Sequence, residues 1–367
     1  MEFTKKNTLQ LKGIAIILML FHHCLLSPNM YKEYEVIFSS LFTEAMVNRF
    51  AAFGKQCVSI FAFLSAYGLS ISYKKAVDEN NKLKSWYTKK ITTLYSGYWF
   101  VFVFSIIICE LINGLPSKTY NADRLSIKCL YVLLDFLGIR TLFKSPGING
   151  AWWYMTVAFM IVILVPLLKF ISSRISAIPL LLLTILFPRV LGIEFLGNNS
   201  FMSFLVPIMC GVIFADNNLM AGIKNYKLPF LKNKPINKFI KLIIMTIIMY
   251  FVYKFYFYLN TELFYDIKYG IIGVYFVVFC NEFISEIPII SVILEFLGKH
   301  SMNIFYVHIF IRSHYGTDFI YSFKNFILII IALLLSSLVI SLIIEFIKEL
   351  IHYNKLIEKF SSSRFFM

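Results

Sequence analysis

The first apolar segment of the chain, residues 12–27, carries three side chains that a hydrophobic span normally excludes: Lys12, His22 and His23. Placing such a titratable group in hydrocarbon costs several kcal/mol, so its presence there indicates a function. Lys12 and His23 are eleven residues apart, which on an α-helix places them on nearly the same face and ~16 Å apart along the axis. His22 is rotated by about 100° from His23, so one histidine alone shares the face of Lys12.

A histidine and a lysine at this spacing could perform acid–base chemistry on an anionic substrate. A neutral imidazole in a cavity that excludes water can serve as a general base, which makes His23 a candidate catalytic residue. Lys12, three turns earlier, could hold an anionic donor. The alternatives are a histidine that bonds to a neighbouring helix and a lysine that only marks the cytoplasmic end of the span.

Three later segments add further polar or aromatic candidates. Lys89 and Lys90 stand where the third apolar span begins, and cationic groups there suit phosphate binding, although lysines that snorkel to a membrane surface explain them too. His308 lies near the middle of a late span, where a buried hydrogen bond between helices is the competing explanation. Trp153, at the start of the fourth span, is either an interface anchor or part of a lid over a cavity.

The composition indicates which elements must position these groups. Of the 367 residues, 59% are hydrophobic and only 15% are charged, which predicts an all-α, polytopic membrane helix bundle rather than a soluble domain. The apolar segment 125–139 is short and is predicted to be interfacial or re-entrant. We predict about ten transmembrane helices, at residues 11–29, 53–73, 91–111, 151–170, 176–193, 200–215, 239–259, 269–285, 300–322 and 326–347.

The net charge of +15 is concentrated between the apolar spans. The segments 74–90 and 216–241 hold six lysines each, and the positive-inside rule then places both termini in the cytoplasm. The charge therefore marks topology, and nucleic acid is not a predicted partner. No small-residue cleavage site closes the first span, which is predicted to be a retained anchor. Without a repeat or a linker, residues 1–367 are predicted to form a single membrane-embedded domain.

Missing motifs exclude several chemical classes. The six cysteines are scattered and have no zinc-ligand spacing with each other or with histidine, so no metal site is predicted. The sequence contains no GxSxG, P-loop or HExxH motif. It therefore does not belong to the usual classes of hydrolases, NTPases or zinc proteases that these motifs mark.

Five segments together resemble the acyltransferase-3 family of bacterial integral-membrane acyltransferases, which are O-acetyltransferase-like. The opening is similar to the family's signature of a basic residue and a histidine eleven positions later, carried here by Lys12 and His23. The other four follow in the family's order: the phenylalanine-rich run at 56–68, the basic and aromatic segment at 86–99, Ala-Trp-Trp-Tyr at 151–154, and the segment 297–308 with Ser301, Tyr306 and His308. The resemblance covers nearly the whole chain.

The resemblance implies a reaction and its participants. An acyl group, usually acetyl, would move from cytoplasmic acyl-CoA to a hydroxyl of a cell-envelope polysaccharide or a free or lipid-linked glycan precursor. Acetyl-CoA would be the donor substrate, and no permanently bound cofactor is expected. The expected site comprises catalytic His23 and Lys12, donor-binding Lys12, Lys89 and Lys90, and the supporting or acceptor-site residues His22, Trp153, Tyr306 and His308.

The resemblance also implies a multi-pass protein of the bacterial plasma membrane, with membrane lipid, acyl-CoA and a glycan as partners. It does not specify the number of subunits. The chain departs from the family in having Lys12 where arginine is usual, Lys90 and Thr93 where Arg-x-x-Arg is usual, and apolar residues at 157–159 where many members carry glutamate. Lysine binds phosphate as a point charge without the fork of arginine, so donor binding at Lys12 is expected to survive.

Two other functions remain open. A transporter or flippase for a glycan or lipid-linked sugar could use the histidines as a proton relay, but the duplicated halves that many transporters have are not evident in this sequence. A structural or sensing membrane protein would leave the ordered set of motifs unexplained.

Overall fold

The computed structural model describes residues 3–79, 82–192, 200–229, 233–259 and 264–361. Within these ranges the chain is helical, with short 3-10 turns and a single isolated parallel bridge between Ile37 and Asn325 in place of any strand. The predicted all-α class is therefore confirmed. The helices are α1 (Lys5–Leu25), α2 (Glu44–Phe53), α3 (Gln56–Asp78), α4 (Leu83–Asn113), α5 (Leu115–Thr119), α6 (Leu125–Phe136), α7 (Trp153–Ser172), α8 (Ala177–Leu191), α9 (Leu205–Asp216), α10 (Leu219–Asn225), α11 (Lys234–Tyr258), α12 (Tyr265–Tyr269), α13 (Ile271–Glu282), α14 (Pro288–Phe310), α15 (Thr317–Tyr321), α16 (Phe326–Leu350) and α17 (Tyr353–Ser361).

Seven helical segments of the described chain are long and apolar enough to cross a membrane. A helix about 20 residues long spans the hydrocarbon core with every backbone hydrogen bond satisfied internally. An eighth candidate, Phe201–Asp216 with Leu219–Asn225, is bent by 72° at its break. The seven segments are Lys5–Leu25, Glu44–Asp78, Leu83–Asn113, Gly150–Ser172, Lys234–Tyr258, Tyr265–Glu286 and Phe326–Leu350.

The exposed faces of these helices fit lipid rather than water. On α11 the side chains of Ile247 and Phe251 are 52% and 64% exposed, and only 17% of its most apolar window is buried. A helix with apolar residues on its exposed face is stable in hydrocarbon and a poor surface helix in water. The protein is therefore a multi-pass membrane protein.

The predicted spans at 176–193 and 300–322 differ most from the observed helices. The first corresponds to α8, which has 15 residues. The second is misplaced, because α14 begins at Pro288 and ends at Phe310. Charged residues before position 300 made this stretch look like a loop, yet Glu295 and Lys299 form an i,i+4 pair at 3.1 Å on the helix surface. The total of ten spans stays a prediction.

The chain divides into two compact units, each assembled from separate segments. The first comprises Met1–His22, Arg49–Ser72 and Val165–Lys299, and the second comprises His23–Asn48, Tyr73–Leu164 and His300–Met367. The prediction of one domain over residues 1–367 stays a prediction.

Close backbone approach holds α1 and α14 together in the first unit. A Cβ added to Gly298 would overlap the carbonyl oxygen of Leu9, and one added to Gly13 would overlap the backbone of Leu294. Small residues at such crossings let membrane helices approach closely enough for van der Waals and Cα–H contacts. The buried amide of Gln10 adds a 2.6 Å hydrogen bond to the Ser291 hydroxyl beside this crossing.

In the second unit, aromatic side chains build the core around α4, α7 and α14. Tyr98 and Tyr306 are almost completely buried, with ring centroids 5.7 Å apart. The Trp152 ring meets Tyr98 edge-on at 5.1 Å. Such packing fixes ring orientations, because offset and edge-on contacts are favoured over loose ones. The core of the second unit thus gives a rigid support to the segment of α14 that carries His308.

Candidate functional site

Two histidines that are 285 positions apart in the sequence meet in the second unit. The ring centroids of His23, on α1, and His308, on α14, are 4.9 Å apart. His308 is completely buried, and His23 is partly buried. The sequence singled out both residues, and the structure brings them into contact.

The hydrogen bonds of His308 define which of its nitrogens can accept a proton. Its Nδ1 lies 2.9 Å from the Phe305 carbonyl oxygen and 3.2 Å from that of Ile304. Because carbonyl oxygens can only accept, we assign the proton of the neutral ring to Nδ1, which leaves a lone pair on Nε2. Within the described part of the chain, this buried Nε2 has no hydrogen-bond partner. His308 therefore offers a proton-accepting nitrogen in a site without bulk water.

His22 points elsewhere, as its 100° rotation from His23 requires. Its Nδ1 lies 2.9 Å from the carbonyl oxygen of Ala51, in the first unit. A histidine bonded to a neighbouring helix was the alternative explanation raised for these residues, and it applies to His22.

The backbone of α14 just before His308 is held by side chains from the segment that leads into α7. The Tyr306 carbonyl oxygen accepts hydrogen bonds from Asn149 Nδ2 at 3.0 Å and from Trp152 Nε1 at 3.1 Å. The ring of Trp153 packs against Tyr154, and its supporting role stays a prediction. Trp152 lies in the 3-10 turn Gly150–Trp152 directly before α7.

A buried carboxylate anchors the loop that carries Asn149. Asp135 Oδ2 accepts from the Tyr120 hydroxyl at 2.7 Å and from the Ile148 amide at 3.1 Å. Its Oδ1 lies 3.3 Å from Arg140 Nε. Burial raises the pKa of Asp135 above its ordinary value, against the opposing effects of Tyr120 and Arg140. Sequence reasoning missed this cluster, because its members are separate polar residues between positions 120 and 148 with no shared spacing.

A second residue that sequence reasoning missed is Arg312. It lies in a π-helical turn, Ile311–Tyr315, directly after α14 and four residues beyond His308. Its charge interacts with both His308 and Cys24, the neighbour of His23. The site thus contains a cation beside two imidazoles.

A family model described as an acyltransferase domain matches residues 10–346, nearly the whole chain. The chain belongs to the acyltransferase-3 family. No curated protein and no solved structure matches the chain significantly. The family supports a membrane acyltransferase and confirms the resemblance read from the five motifs.

The lysines expected to bind the donor of this acyltransferase lie on α1 and α4. Lys12 is on α1, partly buried and eleven residues before His23. Lys89 is exposed and Lys90 partly buried on α4. Among the residues that the structure describes, no carboxylate lies within 4 Å of any of the three amines. Their charges are available to an anionic ligand, and donor binding by these lysines stays a prediction.

Proposed function

We propose that this protein is a membrane O-acyltransferase that moves an acyl group, in the first place acetyl, from cytoplasmic acyl-CoA to a hydroxyl of a cell-envelope glycan. The observation that carries the proposal is the contact between the rings of His23 and His308, inside a chain of the acyltransferase-3 family. An imidazole can accept and return a proton near neutral pH, which suits an acyl-transfer reaction.

In the proposed reaction His23 acts as the general base. It takes the proton from the acceptor hydroxyl as the hydroxyl oxygen attacks the thioester carbonyl carbon. The tetrahedral intermediate then collapses with cleavage of the carbon–sulfur bond, and the CoA thiolate receives the proton from His23. His308, whose orientation is fixed by two backbone carbonyls, orients the His23 ring from the other side. Attack by His23 itself, giving an acyl-histidine, is the alternative route.

The donor is proposed to bind from the cytoplasmic side. Lys12, Lys89 and Lys90 would hold its phosphates as point charges, and the pantetheine arm would extend toward His23, which lies ~16 Å from Lys12 along α1. Exclusion of bulk water would limit hydrolysis of the thioester. This arrangement assumes ten spans with both termini in the cytoplasm of a bacterium, in agreement with the distribution of lysines.

The test is transfer of radiolabelled acetyl from acetyl-CoA into envelope glycan by membranes that contain the wild type, His23→Ala, His22→Ala or no protein. We expect His23→Ala to incorporate at least about 100-fold less label than the wild type. General base catalysis contributes about this factor to a rate at the lower end of its usual range. His22→Ala is the matched control: it loses a hydrogen bond to Ala51 but no reacting group. Equal activity of the two variants would refute the assignment of His23.

One structural observation favours a second function. The segment Phe201–Asp216 with Leu219–Asn225 is bent by 72° at its break, and interrupted helices are common at the substrate sites of transporters. If several acyl-CoA donors give no label while the protein is folded, a glycan or lipid-linked sugar transporter or flippase becomes the better hypothesis.

A further inference from the structure

Arg312 is a charged residue at the histidine pair to which the proposed reaction gives no role. It lies in the π-helical turn Ile311–Tyr315 that ends α14, one helical turn beyond His308. Its Nε is shielded from solvent and has no hydrogen-bond partner within the part of the chain that the structure describes. A buried donor without a partner is costly and therefore marks a place where a ligand could bind.

Hydrogen bonds place Arg312 against the end of α1. Its charge interacts with the Tyr321 hydroxyl, and that hydroxyl donates to the Cys24 carbonyl oxygen at 3.0 Å. Cys24 directly follows His23, so the contacts fix the guanidinium beside the segment that carries the proposed base. The Thr317 hydroxyl also donates to the Arg312 carbonyl oxygen at 2.9 Å, which stabilises the turn.

Within the ranges that the structure describes, no carboxylate forms an ion pair with Arg312. No carboxylate among the described residues lies within 4 Å of the guanidinium. The nearest acid along the chain, Asp318, accepts a 2.7 Å hydrogen bond from the Tyr34 hydroxyl instead. Other partly buried arginines of the protein are paired, as Arg189 is with Asp266 at 2.6 Å. A partly buried cation without a counter-ion is expected to acquire one from a ligand.

Membrane topology does not account for this charge. In the proposed orientation α14 is the ninth of ten spans and runs outward, so Arg312 at its end faces away from the cytoplasm. The positive-inside rule explains basic residues on the cytoplasmic side only. The donor is proposed to enter from the cytoplasm, which leaves the acceptor as the substrate that reaches Arg312.

We propose that Arg312 binds a carboxylate or phosphate group of the acceptor, so that the acceptor is an anionic glycan. The planar guanidinium can donate two parallel hydrogen bonds to either group. Four residues separate Arg312 from His308, about 6 Å along the helix axis, so an acidic group bound there leaves a hydroxyl of the same or the next sugar at the histidine pair. The inference rests on the proposed function and adds a substrate class to it.

The first experiment needs no variant. Membranes with wild-type protein are incubated with radiolabelled acetyl-CoA, lipids are extracted, and the released glycans are separated by anion exchange into neutral and acidic fractions. We expect the protein-dependent label in the acidic fraction. Label confined to the neutral fraction would overturn the inference while supporting acyl transfer. Absence of label from both fractions would refute the proposed function and the inference together.

The second experiment uses the acidic fraction, and separately the neutral fraction, as acceptor with purified wild type, Arg312→Gln, Arg312→Lys and Arg174→Gln. We expect Arg312→Gln to raise the KM for acceptor about 10-fold or more and leave the KM for acetyl-CoA unchanged, since a charge-assisted hydrogen bond is lost. Arg312→Lys should recover part of the loss. Arg174, an exposed residue stacked on Phe170, is the control. Inorganic phosphate should compete with acceptor in the wild type and not in Arg312→Gln.

Two results of the second experiment would overturn the inference. One is an unchanged acceptor KM in a folded Arg312→Gln protein. The other is an equal loss with neutral and acidic acceptors, because a merely structural arginine would affect both alike.

Discussion

The buried carboxylate of Asp135 gives the sharpest test of how the site is held. Replacing it by alanine removes the acceptor of the Tyr120 hydroxyl and of the Ile148 amide, and it leaves Arg140 without its partner. Breaking a buried ion pair by removing one partner costs about 3–5 kcal/mol. We therefore expect Asp135→Ala to lower the free energy of unfolding by about that amount.

Replacing Asp135 by asparagine keeps the shape of the side chain and removes its charge. In Asp135→Asn the amide oxygen can still accept both hydrogen bonds at the Oδ2 position, while the amide nitrogen faces Arg140 Nε, so two donors oppose each other. One unsatisfied buried contact costs about 1–3 kcal/mol, and Asp135→Asn should fall between the wild type and Asp135→Ala. The exposed Asp123 supplies the control. The free energy of unfolding of Asp123→Ala should lie within about 0.5 kcal/mol of the wild-type value.

The measurement is reversible chemical unfolding in mixed micelles, followed by tryptophan fluorescence. The pH dependence gives a second readout. Because the pKa of Asp135 is raised in the folded state, folding takes up a proton between the unfolded and the folded pKa values. The associated stability is fully present below the unfolded pKa, near 4, and is lost as pH rises through the folded value. Asp135→Asn has no carboxyl group to titrate and does not lose this stability. The difference in the free energy of unfolding between the wild type and Asp135→Asn should therefore become smaller as pH rises. An Asp135→Ala protein within 0.5 kcal/mol of the wild type would refute this account.

Two further predictions address the helix crossing and the donor. Gly298→Ala should destabilise the protein by about 1–3 kcal/mol because the new methyl group overlaps the Leu9 carbonyl oxygen. Gly68→Ala is the control: nothing lies within 4 Å of its added methyl group, so it should be neutral or stabilising in the same unfolding assay. Equal effects of the two substitutions would contradict the packing argument. Lys89→Gln and Lys90→Gln should each raise the KM for acetyl-CoA about 2- to 5-fold with kcat unchanged. Added salt should also raise the KM of the wild type for acetyl-CoA. A KM that changes with neither the substitutions nor the salt concentration would exclude these lysines from donor binding.

The elements could be predicted because their causes are local. A run of about 20 apolar residues is enough to indicate a membrane helix, and α1 and α16 lie where the apolar runs placed them. The start of α14 was misplaced by twelve residues, since Glu295 and Lys299 look like loop residues until their mutual ion pair is seen. Charge in a window of sequence does not show whether the charges neutralise each other on a helix surface.

The candidate site was predictable only where one helix determined the geometry. The 100° rotation between neighbouring positions foretold that His22 and His23 must face different surroundings, and the 2.9 Å bond from His22 to Ala51 agrees with it. The contact between His23 and His308 depends on the packing of distant segments, and no periodicity encodes it. Arg312 was missed for the same reason: what makes it notable is the absence of a nearby carboxylate in the described structure.

The two histidine rings lie close to each other and to the charge of Arg312. Two imidazolium rings with centroids 4.9 Å apart would repel each other in a medium of low dielectric constant, and the charge of Arg312 opposes a second cation as well. His308 uses its Nδ1 proton on backbone carbonyls, which leaves Nε2 as its accepting nitrogen. In the proposed reaction His23 takes the proton of the acceptor hydroxyl beside this fixed ring. An anionic acceptor bound at Arg312 would also stabilise the His23 imidazolium formed during proton transfer, which links the choice of acceptor to the rate of the chemical step.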